Sequence, residues 1–331
     1  MTLRGATARL VFLALVVVFA LVLSVRLGAV SMSTGEVIAA IRGEGDATSA
    51  AIVRQLRLPR SVTAALVGAA LAASGATFQA LLRNSLAEPY ILGVSGGAAV
   101  GAVGAIVLGA AAISAWVVPA AAFVGAIVAI LLVLRIAASV GSAIDTRVLL
   151  LAGVVVGSFF NACILLALTL TDAESFRSAI FWMMGSFAGS TWTAAGSFTL
   201  FFIPGLILLI GLGRSLNLMA IGEETAGYLG TSVERVKLLA YTTASLLTAA
   251  SVAIAGVIGF VGLIIPHVIR LAWGGNYRFL IPASALLGAA FLAIADAVAR
   301  IAAAPTELPV GVITAFIGVP FFIWLLRRKP A

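Results

Sequence analysis

Apolar runs long enough to cross a bilayer recur along nearly the whole chain, beginning with LVFLALVVVFALVLSV at residues 10–25. A backbone in hydrocarbon has no water to bond, so its N–H and C=O groups must pair internally. Runs of roughly 20 residues rich in Ala and Leu do this as helices rather than as barrel strands. Composition points the same way: 63% of the 331 residues are hydrophobic and 10% are charged, and the mean hydropathy is +1.21. Those values lie far outside the range of a soluble core with a solvated skin. The expected fold class is all-α, a polytopic membrane protein.

Polar breaks divide the chain into ten expected spans, at 8–27, 61–82, 92–109, 116–138, 147–169, 191–212, 233–255, 257–272, 279–298 and 308–326. The first follows Arg4 and Arg9, as a signal peptide would. Its apolar core is too long for one and no small-residue cleavage site follows, so it is read as a membrane helix. An even number of spans puts both termini on one side. With the amino terminus in the cytosol, thirteen of the twenty basic residues fall inside and seven outside, the seven being Arg26, Arg42, Arg54, Arg57, Arg60, Arg177 and Arg300. That bias obeys the positive-inside rule. It also accounts for the net charge of +8 without nucleic acid, because the basic residues sit at the ends of apolar runs and not in one patch. The largest outside segment, about 28–58, carries Glu36, Arg42, Glu44 and Asp46 and is polar enough to lie on the membrane surface. Loops are short, and a single membrane domain over 1–331 is expected.

Gly93, Gly97 and Gly101 in GVSGGAAVG recur every four residues, a spacing that lets another helix backbone approach closely. They are read as packing glycines, since no G-x4-G-K-[ST] phosphate loop occurs and the chain does not hydrolyse ATP by itself. Pro59, Pro89, Pro119, Pro204, Pro266, Pro282, Pro309 and Pro320 lie in or beside apolar runs, where each removes a donor and bends or starts a helix. Broken helices at membrane depth hint at a transporter.

Chemistry within the chain is sparse. Cys163, the single cysteine, excludes a disulfide framework and a cysteine metal cluster and reads as a small core residue. His267 stands alone, without the carboxylates or thiols that a metal site needs. Asp296 is the best candidate for a buried proton carrier, but Arg300 four residues on makes an ion pair the better reading. With no gradient relay and no catalytic cluster, energy has to enter from outside. The polar island GEETAGYLGTSVERVK at 222–237 is the place for it. Gly222 can start a short helix with Glu223 and Glu224 in its first turn, and Gly230 can end it. Thr231 to Glu234 then form a T-x-x-E capping box for the next span. Such a helix would show Met219, Ile221, Tyr228 and Leu229 to a partner.

Four stretches together resemble the permease subunits of type II ABC importers, which carry iron(III)-siderophores, haem or cobalamin. They are QLRLPRSVTAALVGAALAASGATFQALLRNSLAEPYILGVSGGAAVGA (55–102), the island itself, GFVGLIIPHVIRL (259–271) and ADAVARIAAAPTELPVGVITAFIGVPFFIWLLRR (295–328). The resemblance spans about Leu56 to Arg328. It implies a type II permease fold working as a homodimer in the bacterial inner membrane. Two cytosolic ATPase subunits, which hold the ATP and Mg, and an extracytoplasmic binding protein would complete the importer. No cofactor is implied in this chain.

By the same resemblance, the segment at about 214–235, with Gly222, Glu223, Glu224, Ala226 and Gly230, is the ATPase-coupling element. Arg57, Arg60 and Arg300 match outward arginines that meet acidic residues of the binding protein. Asn84, Ser85 and Leu86 match a cytosolic constriction of the path, although the family more often has Pro where Ser85 stands; Gly141 and Ser142 match a second one. The cargo expected from the resemblance is an iron(III)-siderophore, with cobalamin next and haem third. A gradient-driven secondary transporter is the alternative from another class, and a scarcity of mid-span carboxylates argues against it.

Overall fold

A computed structural model describes residues 3–28, 32–44, 46–140 and 145–327. Among these the regular elements are helical. They are α1 (Leu3–Arg26), α2 (Thr34–Arg42), α3 (Ala47–Ala51), α4 (Leu58–Leu81), α5 (Val94–Val107), α6 (Val117–Val140), α7 (Thr146–Thr169), α8 (Ala173–Met183), α9 (Trp192–Ile221), α10 (Glu223–Tyr228), α11 (Val233–Ala255), α12 (Val261–Trp273), α13 (Tyr277–Ile301) and α14 (Val310–Arg327). A π-helical turn, Ile52–Arg57, joins α3 to α4, and 3-10 turns occupy Pro89–Leu92 and Ala110–Ala112.

Seven of these segments are long and apolar enough to cross a membrane: Gly5–Arg26, Ala47–Leu81, Val117–Val140, Thr146–Thr169, Trp192–Ile221, Val233–Ala255 and Tyr277–Ile301. Three shorter apolar helices, Val94–Val107, Val261–Trp273 and Val310–Leu325, occupy the remaining expected spans. At 1.5 Å per residue, the 14 residues of α5 reach about 21 Å, short of the roughly 30 Å of hydrocarbon. The expected span at 257–272 begins late for a local reason. Gly256 and Phe260 both take positive φ (71° and 70°), and the backbone between them is not helical. The start of α4 differs too. Pro59 lies in its first turn, and the wider π turn just before it accommodates the missing donor.

α4 is the axis of the molecule and is buried along most of its length. It can be surrounded because it is built from Ala, Gly, Ser and Thr. A side chain at Gly68 would run into the carbonyl of Gly288 on α13, and one at Gly75 into the carbonyl of Gly262 on α12. Gly97 and Gly101 lie at the α5–α6 contact in the same manner, against the carbonyls of Gly125 and Ala121. Gly93 differs from the sequence expectation: it stands before α5 as its cap, with φ of 79°, and faces α7 at Gly153.

Two elements were not foreseen. Residues 173–183 form α8, started by Asp172, whose side chain accepts the N–H groups of Glu174 and Ser175; these bonds pull the Asp172 carboxyl below its usual range. The chain then folds back through Gly185 (φ 76°) and lies between the end of α11 and the start of α14. Ser186 N–H donates to Ala255 O at 2.8 Å, and the N–H groups of Val310 and Gly311 donate to the carbonyls of Gly185 and Met184. Among residues 32–44, α2 is amphipathic, started by a capping box between Ser33 and Glu36 and ended at Gly43.

Candidate functional site

Polar chemistry gathers at the two ends of α4. At its carboxy-terminal end, Arg83 takes a left-handed backbone (φ 46°) that turns the chain out of the helix. Asn84 Oδ1 then accepts the N–H of Leu86 at 2.9 Å, which shapes the turn. Asn84 and Ser85 are exposed and Leu86 is half-buried. Gly141 and Ser142 lie outside the described residues.

α10 stands against this turn. Gly222 precedes it, Glu223 and Glu224 occupy its first turn, and Ala226 is fully buried beneath it. Gly230 (φ 83°) sends its N–H to Gly227 O, and Thr231 N–H reaches back to Ala226 O, so the helix ends where the glycine was expected to end it. Glu223 receives two cations. Arg83 Nη2 lies 2.9 Å from one carboxylate oxygen and Lys237 Nζ 2.7 Å from the other. Lys237 is 3% exposed, so the carboxylates of Glu223 and, at 3.7 Å, Glu234 serve an almost buried ammonium. A cavity of about 770 Å³ opens here, lined by residues that include Arg83, Asp145, Arg147, Glu223, Glu224 and Lys237.

Two details of the island are corrected. The expected Thr231–Glu234 capping box is absent: α11 is preceded by Ser232 with no side-chain cap bond, and Glu234 turns toward Lys237. Met219 is 1% exposed and belongs to the core, whereas Ile221, Tyr228 and Leu229 are exposed as expected, Tyr228 at 91%.

At the opposite end of α4 the three predicted arginines converge on one cavity of about 500 Å³, which Gly28, Leu56, Ser190 and Glu307 also line. They are not free to reach outward. Arg57 is 5% exposed and donates through Nη1 to the carbonyls of Val25 and Arg26. Arg300 is 4% exposed and donates to the carbonyls of Ser24 and Leu27. Both therefore satisfy the end carbonyls of α1, which a helix terminus otherwise leaves unpaired. Arg60 donates to Asp296 at 2.9 Å and to Glu307 at 2.8 Å. Asp296 is fully buried and also pairs with Arg300 at 3.2 Å, so the expected i,i+4 pair is one half of a two-arginine clamp. The partner missed from sequence is Glu307, whose side chain is 41% exposed; the E-L-P that opens α14 was its one visible signal.

Between these ends, a carboxylate and a phenol pin the start of α12. Glu88 accepts the N–H of Phe260, and Tyr90 OH accepts the N–H of Ile258 at 3.0 Å. Gln79 holds the same helix from the other side, donating to the carbonyls of Gly262 and Leu263 and accepting from Arg270 Nη2 at 3.0 Å. His267 lies on α12 with its ring edge-on to Phe321. Among the described residues, no group of three or more His, Cys, Asp and Glu is gathered that could hold a metal ion. Cys163 is only half-buried.

The model of the FecCD transport family matches residues 15–328. The cobalamin import system permease BtuC of Halobacterium salinarum is 46% identical over 282 residues, 85% of this chain and 75% of that protein. The vitamin B12 import system permease BtuC of Salmonella typhimurium is 41% identical over 320 residues, 97% of this chain and 95% of that one. Among solved structures, a metal-chelate type ABC transporter in an inward-facing conformation superposes with a TM-score of 0.87 at 33% identity, covering 97% of this chain and 99% of that one.

Proposed function

The chain belongs to the FecCD transport family as a multi-pass ABC transporter permease, and we propose that it carries cobalamin from an extracytoplasmic binding protein into the cytoplasm. The observation that carries this reading is the likeness to a vitamin B12 permease over 97% of the chain. It changes the order of cargoes expected from the sequence, where an iron(III)-siderophore stood first. The relatives with a named cargo that are described above support cobalamin, and the chelate-type structural neighbour is compatible with it.

In this reading two copies of the chain form the path in the inner membrane, with both termini in the cytosol and one ATPase subunit under each α10. Exposed Ile221, Tyr228 and Leu229 give the ATPase an apolar contact. Glu223 links that contact to Arg83, the residue next to the Asn84–Leu86 turn, and to Lys237 at the start of α11. Closing of the ATPases on ATP would move α10, and the ion pairs would carry the motion to the turn at the foot of α4 and to α11. The chain itself supplies no ATP-hydrolysing chemistry and needs no cofactor.

Arg57, Arg60 and Arg300 support a narrower docking role than the sequence suggested. Two of them hold α1, and the binding protein would meet chiefly the rim formed by Arg60 and Glu307. Reconstitution of the permease with its ATPase and binding protein, followed by ATP-dependent uptake of a panel of cobalamin, an iron(III)-siderophore and haem, tests the cargo directly. Preferred uptake of the siderophore or of haem would overturn it. Gradient-driven uptake without an ATPase would overturn the whole reading.

A further inference from the structure

α1 packs on α13 and α4, and α9 packs on α4, α11 and α13. An apolar groove of about 420 Å³ separates α1 from α9. Its floor is Ala65 and Ala69 of α4 with Ala285 and Ala289 of α13, and its walls include Val17 of α1 and Phe202 of α9. The alanines leave a trough where larger residues would have filled the space. An apolar void of this kind takes no water, and at membrane depth the material available to fill it is hydrocarbon.

One end of the groove, at Leu10 and Pro282, carries a charge pattern. The Arg9 guanidinium lies 6.0 Å from the centre of the Trp273 ring, and Trp273 stacks edge-on against Phe279. Gly213 of α9 packs on the backbone of Arg278, which brings the neighbouring Arg214 to the same end. Asn217 and Asn276 hydrogen bond to each other at 3.0 Å and complete a polar rim. Arg9, Arg214 and Arg278 thus stand on three of the four helices around the groove. The single acidic residue on α1, α4, α9 and α13 is Asp296, at the far end and already clamped by two arginines.

We propose that this groove is a binding site for an anionic phospholipid, one acyl chain lying along α1 between Val17 and Phe202 and the phosphate meeting the Arg9, Arg214 and Arg278 rim. The bound chain covers the side of α1 that faces the groove, at Leu10, Val17 and Leu21. Basic residues at a membrane surface attract anionic headgroups, so the site discriminates by charge as well as by shape.

The test is native mass spectrometry of the purified full-length permease after equilibration with phosphatidylglycerol or phosphatidylcholine. The wild type is expected to retain phosphatidylglycerol in preference to phosphatidylcholine. The double variant Arg9→Gln/Arg278→Gln should lose that preference by on the order of tenfold. Ala289→Leu, which fills the trough, should lower retention of both lipids. Equal retention of the two lipids by the wild type, or a phosphatidylglycerol preference unchanged in Arg9→Gln/Arg278→Gln, would overturn the proposal, as would a wild type that retains neither.

Discussion

Arg83, at the end of α4, and Glu223, in the first turn of α10, meet at 2.9 Å, and the same carboxylate reaches Lys237 on α11 at 2.7 Å. One side chain on the six-residue α10, which carries the exposed Tyr228, therefore ties that helix to the foot of the central helix and to the start of another span. Both Arg83 and Glu223 are partly exposed, so their pair adds at most about 1 kcal/mol to stability. Its value lies in what it connects.

Ala226 separates attachment from transmission. It is fully buried under α10, and Ala226→Leu would lift the helix off its seat, since inserting bulk into a packed contact costs about 1–3 kcal/mol. Copurification of the ATPase subunit should be lost in Ala226→Leu and kept in Glu223→Gln, because the latter leaves the exposed apolar residues in place. Pull-down of tagged permease checks both.

Asp296 should be the costliest single carboxylate to remove. It is fully buried and neutralises Arg60 and Arg300 together. Asp296→Asn leaves two guanidinium groups underpaired, and breaking a buried pair costs about 3–5 kcal/mol. Chemical unfolding in detergent should show that loss, against less than about 1 kcal/mol for Glu307→Gln at the exposed rim.

Glu307→Gln is the informative docking variant. Charge reversal of Arg57 or Arg300 would strip the carbonyls of α1 of their donors and so confound docking with folding. Removing the Glu307 charge instead releases Arg60 Nη1 toward the cavity mouth. Affinity for the binding protein should rise a few-fold at low salt, and the gain should fade as salt is raised. Surface plasmon resonance at two ionic strengths reads both.

Two glycines of α5 give a matched pair. A side chain at Gly101 meets the Ala121 carbonyl, whereas one at Gly104 meets nothing within 4 Å. Gly101→Val should lower the midpoint of thermal unfolding in detergent, while Gly104→Ala should leave it unchanged or raise it slightly, since alanine favours a helix interior by roughly 0.5–1 kcal/mol over glycine.

The positions of the ten apolar helices and the glycine bounds of the island were legible because each rests on local pattern: long apolar runs, and a polar stretch between two of them. Pairings across the fold were not. Asp296 announced Arg300 by its i,i+4 spacing, but nothing local announced Arg60 or Glu307, which α4 and the start of α14 bring in from elsewhere. The three arginines were expected on one side of the membrane and the structure gathers them at one end of α4, yet their burial depended on α1 ending beside them. The close contacts of Gly68 with Gly288 and of Gly75 with Gly262 went unread because these glycines do not recur at four-residue spacing and the partner helix supplies the match. α8 was missed for another reason: AESFRSAIFWM is amphipathic and short, so it fails a test built on uninterrupted apolar length.

If force enters at α10, Glu223 is its way into the membrane helices. Cobalamin uptake and ATP hydrolysis should be measured together in proteoliposomes holding permease, ATPase and binding protein, for wild type and Glu223→Gln. Uptake by the wild type should depend on ATP, and in Glu223→Gln it should fall on the order of tenfold while hydrolysis continues. Wild-type uptake rates in Glu223→Gln, or uptake that proceeds without ATP, would rule out coupling through Glu223.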